Sequence, residues 1–444
     1  MSVLTFEKIA GFSAAYHADR ANDLLSGAAA GNGIVSAAKS YRALRELPHA
    51  FSVSLPTTKV TDQMHSGRCW IFAACNLFRA GIVKKLNLEW LELSQTYLFF
   101  WDKLERSGFF LDNAVKTADL PLDDRLFQFL NQDPVQDGGQ WDLLMNLVEK
   151  YGVLPAEAYP DNHSSKNSGA FRGYLTALLR QDALSLREMA QAGAGEKAIE
   201  AEKTRMLEEI YRLLCISLGE PPRKFSFVTK NKNGDTIRED DITPQDFYKK
   251  YVGLDPADYV SLINAPQETK PYYRSYTVEY LGNVAGNRGV TYVNAPMDVI
   301  RRCLVKQLAD GEPVWFGSDC GKFALRDEGV FDRESLNIEG LLSVRFSMDK
   351  GRRLDLYDSL PNHAMLLQGV HLSPAGEPER WRIENSWGPD SGKDGFWVAS
   401  DEWLGEYAYQ FVINKKYVDE TLLACLNETP VVLPAWDPMG TLAD

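Results

Sequence analysis

The 444-residue sequence has few cysteines, and their arrangement excludes two common roles for this residue. The six cysteines are scattered and form no C-x-x-C pair, which argues against a disulfide framework and against a structural zinc site. We therefore expect a reducing, cytoplasmic environment, in which a free reactive thiol survives. Neither a metal ion nor another cofactor is expected.

Long apolar runs are also lacking. The richest windows, WIFAACNLF and AMLLQGV, are short and end at charged or polar positions, whereas a membrane-spanning helix needs about 20 mainly apolar residues. The first residues, MSVLTFEKIAGF, lack the apolar core of a signal peptide and include an acidic residue. We therefore expect neither a membrane span nor a targeting segment.

Basic residues are outnumbered, with 48 Lys and Arg against 61 Asp and Glu, for a net charge of −13. An acidic protein gains little from non-specific contact with a phosphate backbone. Nucleic acid is therefore not expected as a partner.

The pattern of apolar residues changes along the chain and predicts an α+β fold. The N-terminal half has helical periodicity, whereas short strands such as EPVWFGSD and RWRIENSW follow from about residue 310. Residues 183–219 predict an exposed amphipathic helical insertion, and NKNGD predicts a hairpin turn after it. The predicted regions are an N-terminal helical extension (1–60), a helical half (61–180), an inserted helical and hairpin region (181–290), a sheet half (291–430) and a C-terminal arm (431–444).

The run CWIFAACNLFRAGIVKKL predicts a buried helix of about five turns that begins at Cys69, with Ser66 and Gly67 in the N-cap region. A thiol at a helix N-terminus ionises more readily, so Cys69 is the candidate nucleophile. The side-chain amide of Gln63 could join the backbone N–H of Cys69 in binding the oxyanion of an acyl-transfer intermediate. Four other cysteines are interpreted as small core residues: Cys75, Cys215, Cys303 and Cys320.

The general base has to come from another part of the chain, and His363 is the candidate. It lies in PNHAMLL, at the entry of a predicted buried strand where an unpartnered ring would be unfavourable. Asn385 follows in RIENSWG after 385 − 363 = 22 residues, a separation suited to two adjacent antiparallel strands. Its carbonyl can accept the imidazole N–H and orient the ring, and Trp387 could shield that bond from water. His65 is the rival base, but it precedes the predicted helix.

Three segments, QMHSGRCWIFA, NHAM and ENSWG, occur in the order found in papain-like cysteine peptidases, which the sequence resembles. It is most similar to their bleomycin hydrolase and aminopeptidase C branch through ELSQTYLFFWDKLE, QDGGQWD, PVWFGSD, EWLGEYAYQ and LPAWDPMG. The resemblance implies a papain-like fold with Cys69, His363 and Asn385 as catalytic residues. The separation of 363 − 69 = 294 residues fits a papain core enlarged by insertions. Asn362 departs from the pattern, which has threonine before the histidine.

The resemblance also implies an aminopeptidase that releases N-terminal residues from peptides through a thioester acyl-enzyme. Gly138 and Gly139 would bind the extended substrate by strand-like hydrogen bonds. A homohexamer with active sites facing an internal chamber is implied as well. The C-terminal arm would enter the active-site cleft, where Ala443 meets the substrate's N-terminal ammonium once the enzyme has trimmed Asp444 from itself.

Two other functions stay open on the residues alone. A thiol acyltransferase or transglutaminase uses a similar Cys-His pair but usually an aspartate as third member, so Asn385 and Gln63 favour the peptidase. A non-catalytic nucleic-acid-binding barrel is opposed by the acidic net charge and by the intact set of Cys69, His363 and Asn385.

Overall fold

The computed structural model describes residues 3–57 and 59–442. The longer helices lie in the first half of the chain, as the periodicity predicts. The α-helices are α1 (Phe6–Ala18), α2 (Arg20–Asn32), α3 (Ile34–Ala37), α4 (Tyr41–Glu46), α5 (Cys69–Leu86), α6 (Gln95–Lys116), α7 (Arg125–Gln132), α8 (Trp141–Tyr151), α9 (His163–Lys166), α10 (Gly169–Gln191), α11 (Glu196–Leu218), α12 (Pro244–Phe247), α13 (Met297–Ala309), α14 (Ile338–Leu342), α15 (Lys350–Asp355), α16 (Asp401–Tyr407) and α17 (Glu420–Ala424).

Most strands lie in the second half of the chain. The strands are β1 (Val53–Ser54), β2 (Phe225–Lys230), β3 (Thr236–Ile242), β4 (Tyr259–Ile263), β5 (Arg274–Val278), β6 (Tyr292–Asn294), β7 (Val314–Ser318), β8 (Ala324–Leu325), β9 (Val330–Phe331), β10 (His363–Leu372), β11 (Pro378–Glu384), β12 (Phe396–Ser400), β13 (Ala408–Asn414) and β14 (Val431–Leu433).

Twelve of these strands form one large mixed sheet within the described residues. Its order is β14-β5-β6-β4-β13-β7-β10-β11-β12-β9-β8, and β1 pairs separately with β10. The central strand β7 is buried along its whole length, and β10 is buried over its first eight residues. Such strands read as continuous apolar runs because both faces are covered. Helix α5 supplies part of that cover by packing against β10.

The predicted insertion forms two long helices and a hairpin. Helices α10 and α11 each bury one face against α6, and Gly193 lies in the break between them with a positive φ of 76°. Strands β2 and β3 pair in antiparallel fashion around a turn that contains Asn233 and Gly234, which confirms the hairpin. The predicted boundaries differ from the structure, because residue 181 falls inside α10 and strands β4 to β5 already belong to the large sheet.

The N-terminal segment is helical, as predicted, and it packs loosely on the rest of the chain. Neither α1 nor α2 buries a single residue. Large apolar side chains point to solvent, and Phe6 is 92% exposed. None of the helices in the described ranges is long and apolar enough to cross a membrane.

Candidate active site

Cys69 is the first residue of α5, and its side chain is completely buried. Its thiol accepts a hydrogen bond from the backbone N–H of Ala364 at 3.3 Å. This contact joins the start of the helix to the second residue of β10. The thiol therefore lies at the contact between the helical half and the sheet half.

The loop before Cys69 is fixed by a buried arginine. Arg68 is the N-cap residue of α5, so the prediction that Ser66 and Gly67 occupy the cap region was wrong. The guanidinium of Arg68 explains why the helix begins here. It donates hydrogen bonds to both carboxylate oxygens of Asp161, at 2.7 and 3.2 Å, and to the hydroxyl of Ser66 at 2.8 Å. A paired guanidinium inside the protein holds the backbone where a side-chain cap would otherwise do so.

Gln63 is held by both ends of its side-chain amide. Its Oε1 accepts a hydrogen bond from the hydroxyl of Ser386 at 2.6 Å, and its Nε2 donates to the carbonyl of Ser66 at 2.7 Å. One N–H of Nε2 therefore has no acceptor among the described residues. A second such donor is the backbone N–H of Cys69, because first-turn N–H groups have no partner within a helix.

His363 and Asn385 lie on the two strands that the sequence predicted to be neighbours. His363 is the first residue of β10, and Asn385 directly follows β11, which pairs with β10 in antiparallel fashion. The ring nitrogen Nε2 of His363 lies 2.9 Å from Oδ1 of Asn385. The indole of Trp387 stacks on the imidazole with ring centres 4.8 Å apart. The other ring nitrogen, Nδ1, is left for proton transfer.

Burial favours the neutral form of both the Cys69 thiol and the His363 imidazole when each is considered alone. It raises the pKa of the Cys69 thiol to about 12, although backbone N–H groups, chiefly that of Ala364, favour the thiolate. Burial likewise lowers the pKa of His363 to about 4, and the charge of Arg326 lowers it further, whereas the bond to Asn385 opposes the shift. A proton leaving Cys69 must therefore pass to the imidazole, so that the two new charges form as a pair.

Asn362, the departure from the expected threonine, is itself exposed, but its side chain bonds to the buried residue Asp319. Its Nδ2 donates to Oδ1 of Asp319 at 2.8 Å, and its Oδ1 accepts the backbone N–H of Cys320 at 3.1 Å. Asp319 also accepts a hydrogen bond from Ser359 at 2.8 Å. These bonds fix the backbone directly before His363, and no pattern in the sequence predicted them.

Gly138 and Gly139 form a short ledge on the helical side of the cleft. The carbonyl of Gly138 accepts a hydrogen bond from Arg106 at 2.8 Å. A Cβ at position 139 would lie 2.8 Å from the Trp70 indole, so only glycine fits there. Gly139 is buried, and neither of its backbone polar groups has a hydrogen-bond partner within the described residues.

A buried charge cluster that the sequence analysis missed supports this ledge. Lys103 donates to the carbonyl of Val135 at 3.0 Å, and its ammonium lies 3.1 Å from Oδ1 of Asp137. Asp137 in turn accepts the backbone N–H of Gly67 at 3.2 Å, while its carbonyl accepts the indole N–H of Trp70 at 2.8 Å. Asp137 therefore ties the ledge to residues on both sides of the nucleophile.

The remaining predicted residues lie further from the thiol or outside the described part. The side chain of His65 is exposed, and its backbone N–H is bonded to Lys166. Leu442 is buried and packs against Gly317 of β7, and the Thr441 hydroxyl donates to the carbonyl of Pro361 at 3.2 Å. The arm thus reaches the strands that carry His363. Two predicted tail residues, Ala443 and Asp444, lie outside the described residues.

Comparisons with known proteins agree with this geometry. The sequence matches the Peptidase C1-like family over residues 3–440. It is 44% identical over 428 residues to aminopeptidase C of Streptococcus thermophilus, covering 96% of both chains. Bleomycin hydrolase of Gallus gallus is 42% identical over 391 residues and 86% of both chains. The crystal structure of PepW from Lactobacillus rhamnosis covers 100% of both chains with a TM-score of 0.98 and 43% identity.

Proposed function

The chain belongs to the Peptidase C1-like family and is a cysteine aminopeptidase, and from this premise we propose that Cys69, His363 and Asn385 carry out the hydrolysis. The observation that carries the assignment is the convergence of two bonds on one cleft. One joins His363 to Asn385 at 2.9 Å, and the other joins the Cys69 thiol to the backbone of Ala364 at 3.3 Å. This arrangement supports acyl transfer with a thiol nucleophile and an oriented imidazole.

In the first half of the reaction, His363 takes the proton of the Cys69 thiol as sulfur attacks the carbonyl carbon of the first peptide bond. The carbonyl oxygen becomes an oxyanion, which receives hydrogen bonds from the free N–H of Gln63 and the backbone N–H of Cys69. His363 then gives its proton to the leaving amine as the C–N bond breaks. The N-terminal residue remains on Cys69 as a thioester.

In the second half, water replaces the leaving peptide. His363 removes a proton from that water, whose oxygen attacks the thioester carbonyl, and the same oxyanion donors act again. The C–S bond breaks, the thiolate recovers the proton from His363, and a free amino acid leaves. Asn385 keeps the ring in one orientation through both halves.

The test is hydrolysis of aminoacyl fluorogenic amides and their N-blocked counterparts by wild type, Cys69→Ala and Cys75→Ala. Cys75 is a suitable control because it is a buried cysteine on the same helix. We expect activity in wild type and Cys75→Ala alone. Comparable rates in wild type and Cys69→Ala would contradict the assignment.

The C-terminal arm is proposed to turn an open peptide groove into an aminopeptidase site. Contacts of the arm support this. The hydroxyl of Tyr357 donates to the carbonyl of Trp436 at 2.6 Å, and that of Tyr292 donates to the carbonyl of Met439 at 2.9 Å. Leu442 is buried. An arm fixed so close to His363 can block the groove beyond one residue. Residues 443 and 444 would then supply the group that meets the substrate ammonium, with Asp444 removed by self-trimming.

Deletion of residues 441–444 tests the arm. We expect the truncated enzyme to lose aminopeptidase activity and to cut N-blocked peptides internally. A truncated enzyme that still requires a free N-terminus would exclude this role. Intact mass of wild type beside Cys69→Ala shows whether removal of Asp444 depends on the thiol.

We further propose that the protein assembles as a homohexamer in the cytoplasm. The exposed apolar side chains of α1 and α2, among them Phe6 and Phe12, support self-association because copies of the chain would cover them. The number six follows from the family resemblance. All six cysteines are free thiols, in keeping with a reducing compartment.

Light scattering at micromolar concentration tests the assembly. We expect a hexamer for wild type and smaller species for a Phe6→Ser, Phe12→Ser double variant. A stable wild-type monomer would contradict the proposal. Fractionation of cells followed by detection of the protein tests the location.

A further inference from the structure

Arg326 lies near His363, and the proposed mechanism gives it no role. Arg326 directly follows β8, and its side chain is exposed. Its guanidinium carbon lies 4.6 Å from the ring centre of Trp387, the same indole that stacks on His363 at 4.8 Å. The guanidinium is therefore held close to the imidazole by a shared aromatic neighbour.

The charge of Arg326 is not used inside the protein. Within the described ranges, its guanidinium donates no hydrogen bond and forms no ion pair. Of the two acidic residues that follow it, Glu328 already binds Lys39, whose ammonium lies 2.6 Å from its carboxylate. Five donors of a fixed fork thus remain for a ligand from solvent.

Arg326 lies on the side of the site where the leaving part of the substrate is expected. In the proposed reaction the acyl part of the substrate lies along the ledge at Gly138 and Gly139, on the helical side of the cleft. His363 protonates the leaving amine, so that amine and the residue attached to it must lie on the sheet side. Trp387 and Arg326 border that side.

We propose that Arg326 determines specificity on the leaving-group side by binding a carboxylate of the residue that follows the scissile bond. This inference rests on the proposed function. The carboxylate can belong to an acidic side chain at that position or to the C-terminus of a dipeptide. Arginine suits both, because its planar fork binds a carboxylate through two parallel hydrogen bonds.

Four peptides with a common first residue separate these sources: Leu-Ala, Leu-Ala-amide, Leu-Glu-amide and Leu-Gln-amide. They form two pairs, each with a charged and a neutral member: Leu-Ala with Leu-Ala-amide, and Leu-Glu-amide with Leu-Gln-amide. For each pair we take the ratio of kcat/KM of the charged peptide to that of the neutral one. In wild type we expect at least one of these two ratios to exceed one. Arg326→Gln should reduce the affected ratio about 3- to 10-fold, the size expected for a partly exposed charge pair. The ratio that falls identifies the source of the carboxylate.

Two further variants make the result decisive. Arg212→Gln removes the same charge from α11, where the guanidinium has no partner in the described part of the chain, and should leave both ratios at the wild-type value. Arg326→Glu should invert the affected ratio, because the new carboxylate repels the substrate's own. Unchanged ratios in both Arg326 variants would overturn the proposal, as would an equal fall in Arg212→Gln. Failure of the proposed function would look different, since wild type would cleave none of the four peptides.

Discussion

The two walls of the cleft hold their functional residues in different ways. On the helical wall, Cys69, Gln63 and the Gly138 ledge lie in or beside loops, and buried ionic side chains such as Arg68 and Lys103 fix those loops. On the sheet wall, the functional residues occupy the ends of two paired strands, whose backbone ladder sets their separation.

The two walls therefore differ in which substitutions would disturb them. A loop tied by a few buried charges depends on each of them, because removing one partner leaves the other charge unpaired in the interior. A strand ladder distributes the same task over many backbone hydrogen bonds that no side-chain substitution removes. We therefore expect mutations of supporting residues to act mainly through the helical wall, and mutations of the sheet wall to act mainly at His363 and at the side chains around its ring.

The largest effect should come from the reacting atoms, one on each wall. Cys69→Ala and His363→Ala should each lower kcat/KM by roughly four orders of magnitude, because the nucleophile and its base act as a unit. The double variant should be little worse than either single variant. Circular dichroism should show the native fold in all three. Additive losses in the double variant would contradict a shared catalytic step.

Substitution of Asp137 tests how far the helical wall depends on its buried charges. We expect Asp137→Ala to lower the free energy of unfolding by about 3 kcal/mol, because Lys103 loses the nearer of its two buried carboxylate partners. Burial favours a raised pKa at Asp137, but Lys103, Ser168, Arg172 and the backbone N–H of Gly67 together hold this pKa below the ordinary value. The carboxylate therefore stabilises the fold above the unfolded-state pKa of about 4, and this contribution is lost as the pH falls through the folded-state value.

Urea denaturation at pH 7 and at pH 3 checks this prediction, with Asp137→Asn as the variant that keeps the shape. The difference in unfolding free energy between wild type and Asp137→Asn should be larger at pH 7. A variant as stable as wild type at both pH values would remove the proposed contrast between the walls.

The oxyanion donor of the helical wall gives the next effect. Gln63→Ala should lower kcat by roughly 10² to 10³ with little change in KM, because the hydrogen bond strengthens mainly in the transition state. Steady-state kinetics on a fluorogenic amide separates the two constants. A change confined to KM would assign Gln63 to substrate binding instead.

On the sheet wall, Asn385→Ala should lower kcat less than His363→Ala does, by roughly 10- to 100-fold. In this variant the pairing of β10 and β11 still places His363 beside Cys69, and only the orientation of the imidazole ring becomes less restricted. Asn385→Gln, which keeps an amide on a longer side chain, serves as the comparison. Equal losses in Asn385→Ala and His363→Ala would mean that the ladder alone does not position the ring.

The smallest effect concerns the charge beside the sheet wall. Arg326 disfavours the imidazolium of His363, so Arg326→Gln should raise the pKa of His363. The limb of the pH–rate profile that His363 controls should move to higher pH by a few tenths of a unit, since an exposed charge is screened by water. Profiles measured at low salt check this, and a shift to lower pH would contradict it.

The sequence predicted the positions of Cys69, His363 and Asn385 better than those of the residues that support them. Cys69 at a helix start and the histidine and asparagine on adjacent strands follow from periodicity and spacing. Lys103 and Asp137 could not be recognised, because a charged residue in a helix or a loop normally faces solvent, and only tertiary packing buries these two. Arg326 and Asp319 lie beyond strand ends, where local pattern carries no information about which cleft a side chain borders.

The contact between Cys69 and Ala364 joins residues separated by 364 − 69 = 295 positions. Contacts of such high sequence separation form late in folding, because the intervening chain loses much entropy when the loop closes. During synthesis the helical half can fold first, yet its thiol has no base until β10 and β11 are complete. We therefore expect a growing chain that still lacks β10 and β11 to be catalytically inert.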